Sequence, residues 1–356
     1  MSTAETPSPD SAPARPTPPP TGTRLQVAEG VHWIRMPLPF ALDHINLWTI
    51  DEDGPGEVAL VDTGTRTDET VAAWQAILAA GPGGAPLRPT RVFVTHMHPD
   101  HVGMAGWLTR KHGIGLWMSR LEYYTCRTLT SDTGRDAPAE GVAFYRSAGW
   151  SDAALETYRV RFGRFGKYIH PLPDNFRRLH HGQVLRIGAH DWRVIVGSGH
   201  SPEHACLHCP ALGVLISGDQ VLPRISSNVS VYPLEPEADP MRDWLESIER
   251  VRQEVPDDVL VLPAHQEPFR GLHARLDELA ASQQRVFARL RDLLARGPQR
   301  AVDCFEALFN RPIAEHDVNL LSMATGESVA CLNHLRELGQ VLREPGADGA
   351  WRYRLA

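Results

Sequence analysis

A chain of 356 residues with 42% hydrophobic and 22% charged residues has room for one large or two ordinary globular domains. Its formal charge of −7, with Lys111 and Lys167 as the only lysines, argues against a general nucleic-acid or membrane-surface binder. Five scattered cysteines make no disulfide framework, so a reducing cytoplasm is expected.

Residues 1–23 are rich in Pro, Ser, Thr and Ala and lack the apolar stretch of a secretory signal. They read as a disordered leader, with order expected from about Leu25. No later run is long enough to span a bilayer. Residues 25–36, 45–50 and 57–61 read as strands, the third ending in Asp62-Thr63-Gly64. Residues 67–80 have helical spacing through Val71, Trp74, Ile77 and Leu78, and a Gly/Pro loop follows. A strand at 91–95 then delivers Thr95-His96-Met97-His98-Pro99-Asp100-His101, after which a helix carries Val102, Met104 and Leu108.

Residues 119–168 read as helical and rich in aromatics, among them Tyr123, Tyr124, Phe144, Tyr145 and Trp150. This stretch interrupts two strand-forming regions, so it reads as an insertion over the fold, its aromatics mostly packed and a minority facing a substrate. Strands resume at 183–187, 192–196, 205–209 and 214–217, and a helix at 240–255 precedes a strand at 259–262. Two packed sheets flanked by helices account for that order. Beyond His265 the chain turns helical (271–295, 302–309 and 327–338) and closes in two short strands around a Gly-Ala-Asp-Gly turn, a winged-helix-like order.

The heptapeptide at 95–101 places three imidazoles and a carboxylate within six residues, directly after an apolar strand. Such groups are costly to bury unless paired or bound to metal, and they are the donors that zinc and its neighbours prefer. Three more polar clusters end predicted strands: Gly199-His200-Ser201, Gly218-Asp219-Gln220 and Ala264-His265-Gln266. Strand ends are held by the sheet yet open to solvent, which suits a pre-organised site.

In this order and with Val61-Asp62-Thr63-Gly64 upstream, these motifs resemble the metallo-β-lactamase fold superfamily over roughly residues 25–269. The resemblance implies an α/β fold of the αββα sandwich type over 24–269, with a helical insertion or lid at 119–182 and a C-terminal helical, winged-helix-like module at 270–356. It implies that His96, His98 and His200 hold one metal, that Asp100, His101 and His265 hold a second, and that Asp219 bridges them. Asp62 would orient a ligand histidine from behind. Two Zn2+ are the expected cofactors, with Fe or Mn accepted by the same donors.

In such a centre a water shared by two dications becomes the nucleophile, and Asp100 is the expected catalytic group that relays its proton. His204 reads as structural rather than as a ligand, and Cys206-Leu207-His208-Cys209 as a strand with buried cysteines. Arg224 and Asn228, with Tyr123 and Tyr124, are candidate substrate contacts; the first two equally fit a role in fastening a loop.

Fold does not fix substrate in this superfamily. The expectation is a glyoxalase-II-like or general hydrolase cleaving a small acyl substrate, thioester before lactone. The tail, through Gly326-Glu327, Leu332-x-x-Leu335 and Trp351-Arg352-Tyr353-Arg354, resembles that of the lactamase-like endoribonucleases, which makes phosphodiester hydrolysis the runner-up. A non-catalytic metal-binding DNA regulator is the third reading. Residues 327–338 carry only Arg336 as a fixed positive charge, where a nucleic-acid groove normally shows a basic stripe. No membrane partner is expected, and a homodimer stays open.

Overall fold

The computed structural model describes residues 17–39 and 42–356. Residues 17–23 bury Pro19 and form a turn closed by the Thr23 N–H on the Pro20 carbonyl at 3.1 Å. Order therefore starts before Leu25, and the rest of the expected leader lies outside the described residues.

Four strands, β1 (Leu25–Ala28), β2 (Val31–Pro37), β3 (His44–Asp51) and β4 (Glu57–Val61), open the fold as an antiparallel meander. The sequence reads 25–36 as one strand; Gly30, at φ +66°, instead turns the chain back between β1 and β2. Helix α1 (Asp68–Ala79) starts at Thr67, whose hydroxyl accepts from the Thr70 N–H, with Asp68 and Glu69 at the positive end of its dipole. Strand β5 (Arg88–Phe93) follows, then the short α2 (Pro99–Val102), α3 (Ala105–His112) and β6 (Gly115–Ser119). The insertion supplies α4 (Arg120–Ser131), α5 (Ala139–Ala148) and α6 (Asp152–Arg161), and also β7 (Arg177–Leu179). It is thus not wholly helical: β7 completes a seven-stranded sheet in the order β1 to β7, parallel from β4 onward.

The second sheet contains β8 (Val184–Ile187), β9 (His190–Gly197), β10 (His204–Cys209), β11 (Val214–Gly218) and, after α7 (Pro240–Glu254), β12 (Leu260–Pro263). Its five strands run in the order β12-β11-β10-β9-β8, antiparallel except for β11 with β12. The C-terminal module comprises α8 (Leu272–Leu294), α9 (Phe305–Phe309), α10 (Val318–Glu337) and the hairpin β13 (Val341–Pro345) and β14 (Trp351–Leu355).

Period-two alternation builds the sandwich. Val31, Trp33, Trp48, Ile50, Ala59 and Val61 face Trp192, Val194, Leu207 and Ile216 across the sheets. The alternate residues Ile34, Met36, Leu47, Leu60 and Val92 face Trp74 and Ile77 of α1 and Leu108 of α3. On the far side, Ile195, Cys206, Leu215 and Val261 pack under Trp244 and Ile248 of α7 and Leu272 and Leu276 of α8. This is the mixed α/β sandwich, covered by helices on both faces, that the resemblance implies. Its topology brings the C-terminal ends of β4, β5, β9, β11 and β12 to one edge.

The insertion divides its labour. Helix α4 packs into the core of the first sheet through Tyr123 and Cys126. Phe144, Tyr145 and Trp150 of the α5–α6 region instead join the core shared with the C-terminal module. There the Trp150 indole donates to Thr325 Oγ1 at 2.9 Å, and the Tyr145 hydroxyl lies 2.6 Å from Ser322 Oγ. Among the described residues no helix is long and apolar enough to cross a membrane.

Candidate metal centre

Five strand ends converge on the sandwich edge. The loop after β5 carries His96, His98, Asp100 and His101; His200 precedes β10; Asp219 follows β11 and His265 follows β12. Short backbone bonds weld these loops together: the Ala205 N–H donates to Thr95 O at 2.8 Å, and Ala264 N–H to Gly218 O at 3.1 Å. Gly218 is needed where it stands, because at φ +51° a Cβ would come within 2.5 Å of the His204 ring.

The donors fall into two groups, His96 with His98, His200 and Asp219, and Asp100 with His101 and His265, each with its ligand atoms within 4.8 Å of one another. In the first, His96 Nε2 lies 2.8 Å from His98 Nδ1 and 3.3 Å from His200 Nε2. Asp219 stands between the groups, with Oδ2 3.3 Å from His200 Nε2 and 3.5 Å from His101 Nε2, and Oδ1 3.4 Å from His265 Nε2. Asp100 Oδ2 lies 3.5 Å from His265 Nε2 and 3.7 Å from His101 Nε2.

Each of three imidazoles is held from behind by an acceptor. His101 Nδ1 meets Asp62 Oδ2 at 2.8 Å, His200 Nδ1 the Asn228 carbonyl at 2.8 Å, and His265 Nδ1 the His44 carbonyl at 2.9 Å. An acceptor at Nδ1 places the proton there and turns the Nε2 lone pair toward the centre, the tautomer assigned from the network. Asp62, at φ +60°, also accepts from the Thr95 N–H and hydroxyl, both at 2.8 Å, and so ties the end of β4 to the β5 loop.

Burial, reinforced by the neighbouring imidazoles, holds His96 and His98 well below the usual histidine range, in the neutral form that binds metals. For His101, burial acts downward, but Asp62, Asp100 and Asp219 together raise it well above that range. His265 is raised in the same way, chiefly by Asp219 against burial. Burial would raise Asp219, yet His265 and His101 bring it well below the carboxylate range. Among the described residues His101 Nε2 and Asp219 Oδ1 are buried without a hydrogen-bond partner. Such orphans call for an occupant, and imidazoles and carboxylates gathered in two groups about Asp219 are a donor set that fits divalent metal.

The structure brings all seven residues of the expected ligand set together, with Asp62 behind His101. It engages the expected substrate contacts elsewhere. Tyr123 is buried, its hydroxyl donating to Pro173 O at 2.7 Å and its ring stacked on Phe176 at 4.0 Å, so its polar end serves packing. Tyr124, exposed, meets Tyr123 and Phe176 edge-on. Arg224 pairs with Glu267 at 2.7 Å and donates its N–H to Gln266, fastening its loop to the one that carries His265. The Asn228 amide is engaged by Glu327 and Ser230.

His204 is structural, as expected: its Nε2 accepts from the Asp219 N–H at 3.1 Å, and burial pushes its pKa down to about 3. Cys206 and Cys209 point to opposite faces of β10 and so cannot act as a pair; burial pushes the Cys206 thiol up to about 12. One residue escaped the sequence. Glu122, buried at the start of α4, accepts from the Met97 N–H at 2.9 Å and the Glu203 N–H at 2.7 Å, bracing two ligand loops at once. Its partners are backbone groups distant in sequence, which leave no residue signature.

The metallo-beta-lactamase superfamily model matches residues 42–265, and the C-terminal domain model of metallo-beta-lactamase-like proteins matches 287–356. A crystal structure of a beta-lactamase domain protein from Burkholderia ambifaria is 39% identical, covers 97% of both chains and has a TM-score of 0.87. A metallo-beta-lactamase family protein from Thermus thermophilus is 28% identical over 93% of this chain and 100% of its own, with a TM-score of 0.75. An Aquifex aeolicus protein is 23% identical over 243 residues, 68% of this chain and 90% of its own. With a superfamily model spanning most of its length, a near-full-length relative of the same fold and a His/Asp cluster at the expected strand ends, the chain belongs to the metallo-beta-lactamase superfamily and carries the C-terminal domain of its lactamase-like members.

Proposed function

We propose that this protein is a hydrolase with two metal ions, zinc before iron or manganese, that cleaves a small acyl substrate, thioester before lactone. The observation that carries the reading is the meeting of His96, His98 and His200 with Asp100, His101 and His265 around Asp219. Bound divalent metal supplies a water activated at neutral pH and a Lewis acid for the acyl oxygen. The chain does the rest. Asp62, Asn228 and His44 fix three ring orientations, and Glu122 holds the loops of His96 and His200 at constant separation. Asp100, whose side chain is 20% exposed while His96 and His101 are closed off, stands at the open side of the centre. From there its carboxylate takes a proton and delivers it to the leaving group.

Ile225, exposed on the connection shortly after Asp219, offers apolar surface suited to an acyl chain. The C-terminal module, read as winged-helix-like, gives the ribonuclease and DNA-regulator readings little support. Most of α10 is buried, and its basic side chains are committed, His334 to Asp239 at 3.1 Å and Arg336 to Glu237 at 3.0 Å. A panel of acyl-CoA, acyl-glutathione, homoserine lactone and bis-p-nitrophenyl phosphate tests the proposal. Turnover of a thioester well above the others is expected. Robust phosphodiesterase activity with only background ester cleavage would overturn it in favour of the runner-up.

A further inference from the structure

The three back-held histidines are not anchored alike. His44, behind His265, opens β3 of the first sheet, and Asp62, behind His101, directly follows β4 of the same sheet. Behind His200 stands the carbonyl of Asn228, on the long connection between β11 and α7, which is itself neither strand nor helix. The Asn228 side chain is held by the C-terminal module together with a neighbour on the same connection. Its Nδ2 donates to Glu327 Oε2 of α10 at 2.7 Å, and its Oδ1 accepts from Ser230 Oγ at 2.6 Å.

The contact is built closely. The Val231 N–H donates to the Gly326 carbonyl at 3.0 Å, and a Cβ on Gly326 would meet Ser230 at 2.7 Å and the Val231 carbonyl at 2.9 Å. Only glycine lets α10 approach this connection, and the next residue in the chain is the one that grips Asn228. Desolvation pushes the Glu327 carboxyl up to about 7, with the Asn228 amide opposing that shift. A carboxylate brought to Asn228 by a glycine-permitted close approach suits a positional task.

We propose that Glu327 is a positioning residue of the metal centre: by holding Asn228, the C-terminal module sets the orientation of His200. This rests on the reading of the His/Asp cluster as a metal site. Outer partners of ligating histidines typically contribute about 10- to 100-fold in metal affinity. The test is a zinc titration of the full chain against a competing chelator, on wild type and the variants Glu327→Ala, Glu327→Gln and Asn228→Ala. The relevant equivalent is the one that His98→Ala abolishes, and cobalt absorption spectra report its geometry.

Glu327→Ala and Asn228→Ala are expected to weaken that equivalent by about 10- to 100-fold and to alter its cobalt spectrum, with the other equivalent unmoved. Glu327→Gln, which keeps an acceptor for the amide, should restore it. A folded Asn228→Ala protein with wild-type affinity and spectrum overturns the proposal, and it decides the matter even if Glu327→Ala does not fold. Equal losses in Glu327→Gln and Glu327→Ala overturn it too. Wild-type protein that takes up no zinc sinks the metal reading itself, a different failure.

Discussion

Asp62→Asn exchanges one oxygen for an amide nitrogen in a buried site where every partner is a donor. The wild-type carboxylate accepts from the Thr95 N–H, the Thr95 hydroxyl and His101 Nδ1, each at 2.8 Å. Asparagine can still offer Oδ1 to the Thr95 N–H, and the hydroxyl can rotate to accept from the new amide. His101 has no such freedom. Facing an NH2 donor, its Nδ1 must become the acceptor and its proton must move to Nε2, the atom aimed at Asp100 and Asp219. That nitrogen can then bind metal only after a tautomer shift against its hydrogen bond. The expected loss is about 10- to 100-fold in affinity, or about 1.4–2.7 kcal/mol, confined to the equivalent held with Asp100 and His265. The metal-free protein should also lose about 1–3 kcal/mol, because a buried charge-assisted bond is replaced by a neutral one. Chelator-competition titration of both equivalents, with thermal unfolding in parallel, checks each part. Affinity unchanged at that equivalent, or lowered equally at both, would refute the orienting role.

Glu122→Ala should leave the Met97 and Glu203 N–H groups without acceptors, lowering stability by about 2–6 kcal/mol by denaturant unfolding; a loss under about 1 kcal/mol would show that water replaces the carboxylate freely. Asp100→Ala should abolish turnover with the fold intact by circular dichroism, whereas Cys206→Ala, removing a thiol from the α7-facing core, should leave kcat alone; comparable losses would undo these roles. Glu327 gives a pH signature. Folded, it keeps its proton up to about 7; unfolded, it loses it near 4.5, so its folded state binds more protons in that window and stability falls as pH rises through it. Glu327→Gln carries no such charge, so its Tm relative to wild type should climb between those two pH values; parallel curves would contradict the assignment.

Much of the site was legible because its chemistry is local. Imidazoles and carboxylates at the ends of apolar strands mark themselves, and the short apolar runs of β2, β3 and β9 read as strands. What stayed hidden depends on distance in the chain. In the sequence Arg224 fits a substrate contact and a loop fastener equally, and only the fold sets it beside Glu267; likewise only the fold brings Pro173 to the Tyr123 hydroxyl. Strand β7 is three residues long and exists as a strand only by pairing with β6. Helix α10 begins at Val318 rather than near residue 327, because Asp317 caps it by accepting from the Leu320 N–H, and the intervening Met323, Thr325 and Gly326 give no clear helical stripe. The tie from Glu327 to Asn228 crosses from one module to another and has no pattern in the sequence at all.

The central claim, that the cluster around Asp219 holds two metal ions, is tested most directly by metal analysis of the native protein beside His98→Ala and His265→Ala. Close to two equivalents of a first-row divalent metal per chain are expected for wild type, and one for each variant. A wild-type protein isolated without metal that takes none up, or variants that keep the full complement, would contradict it.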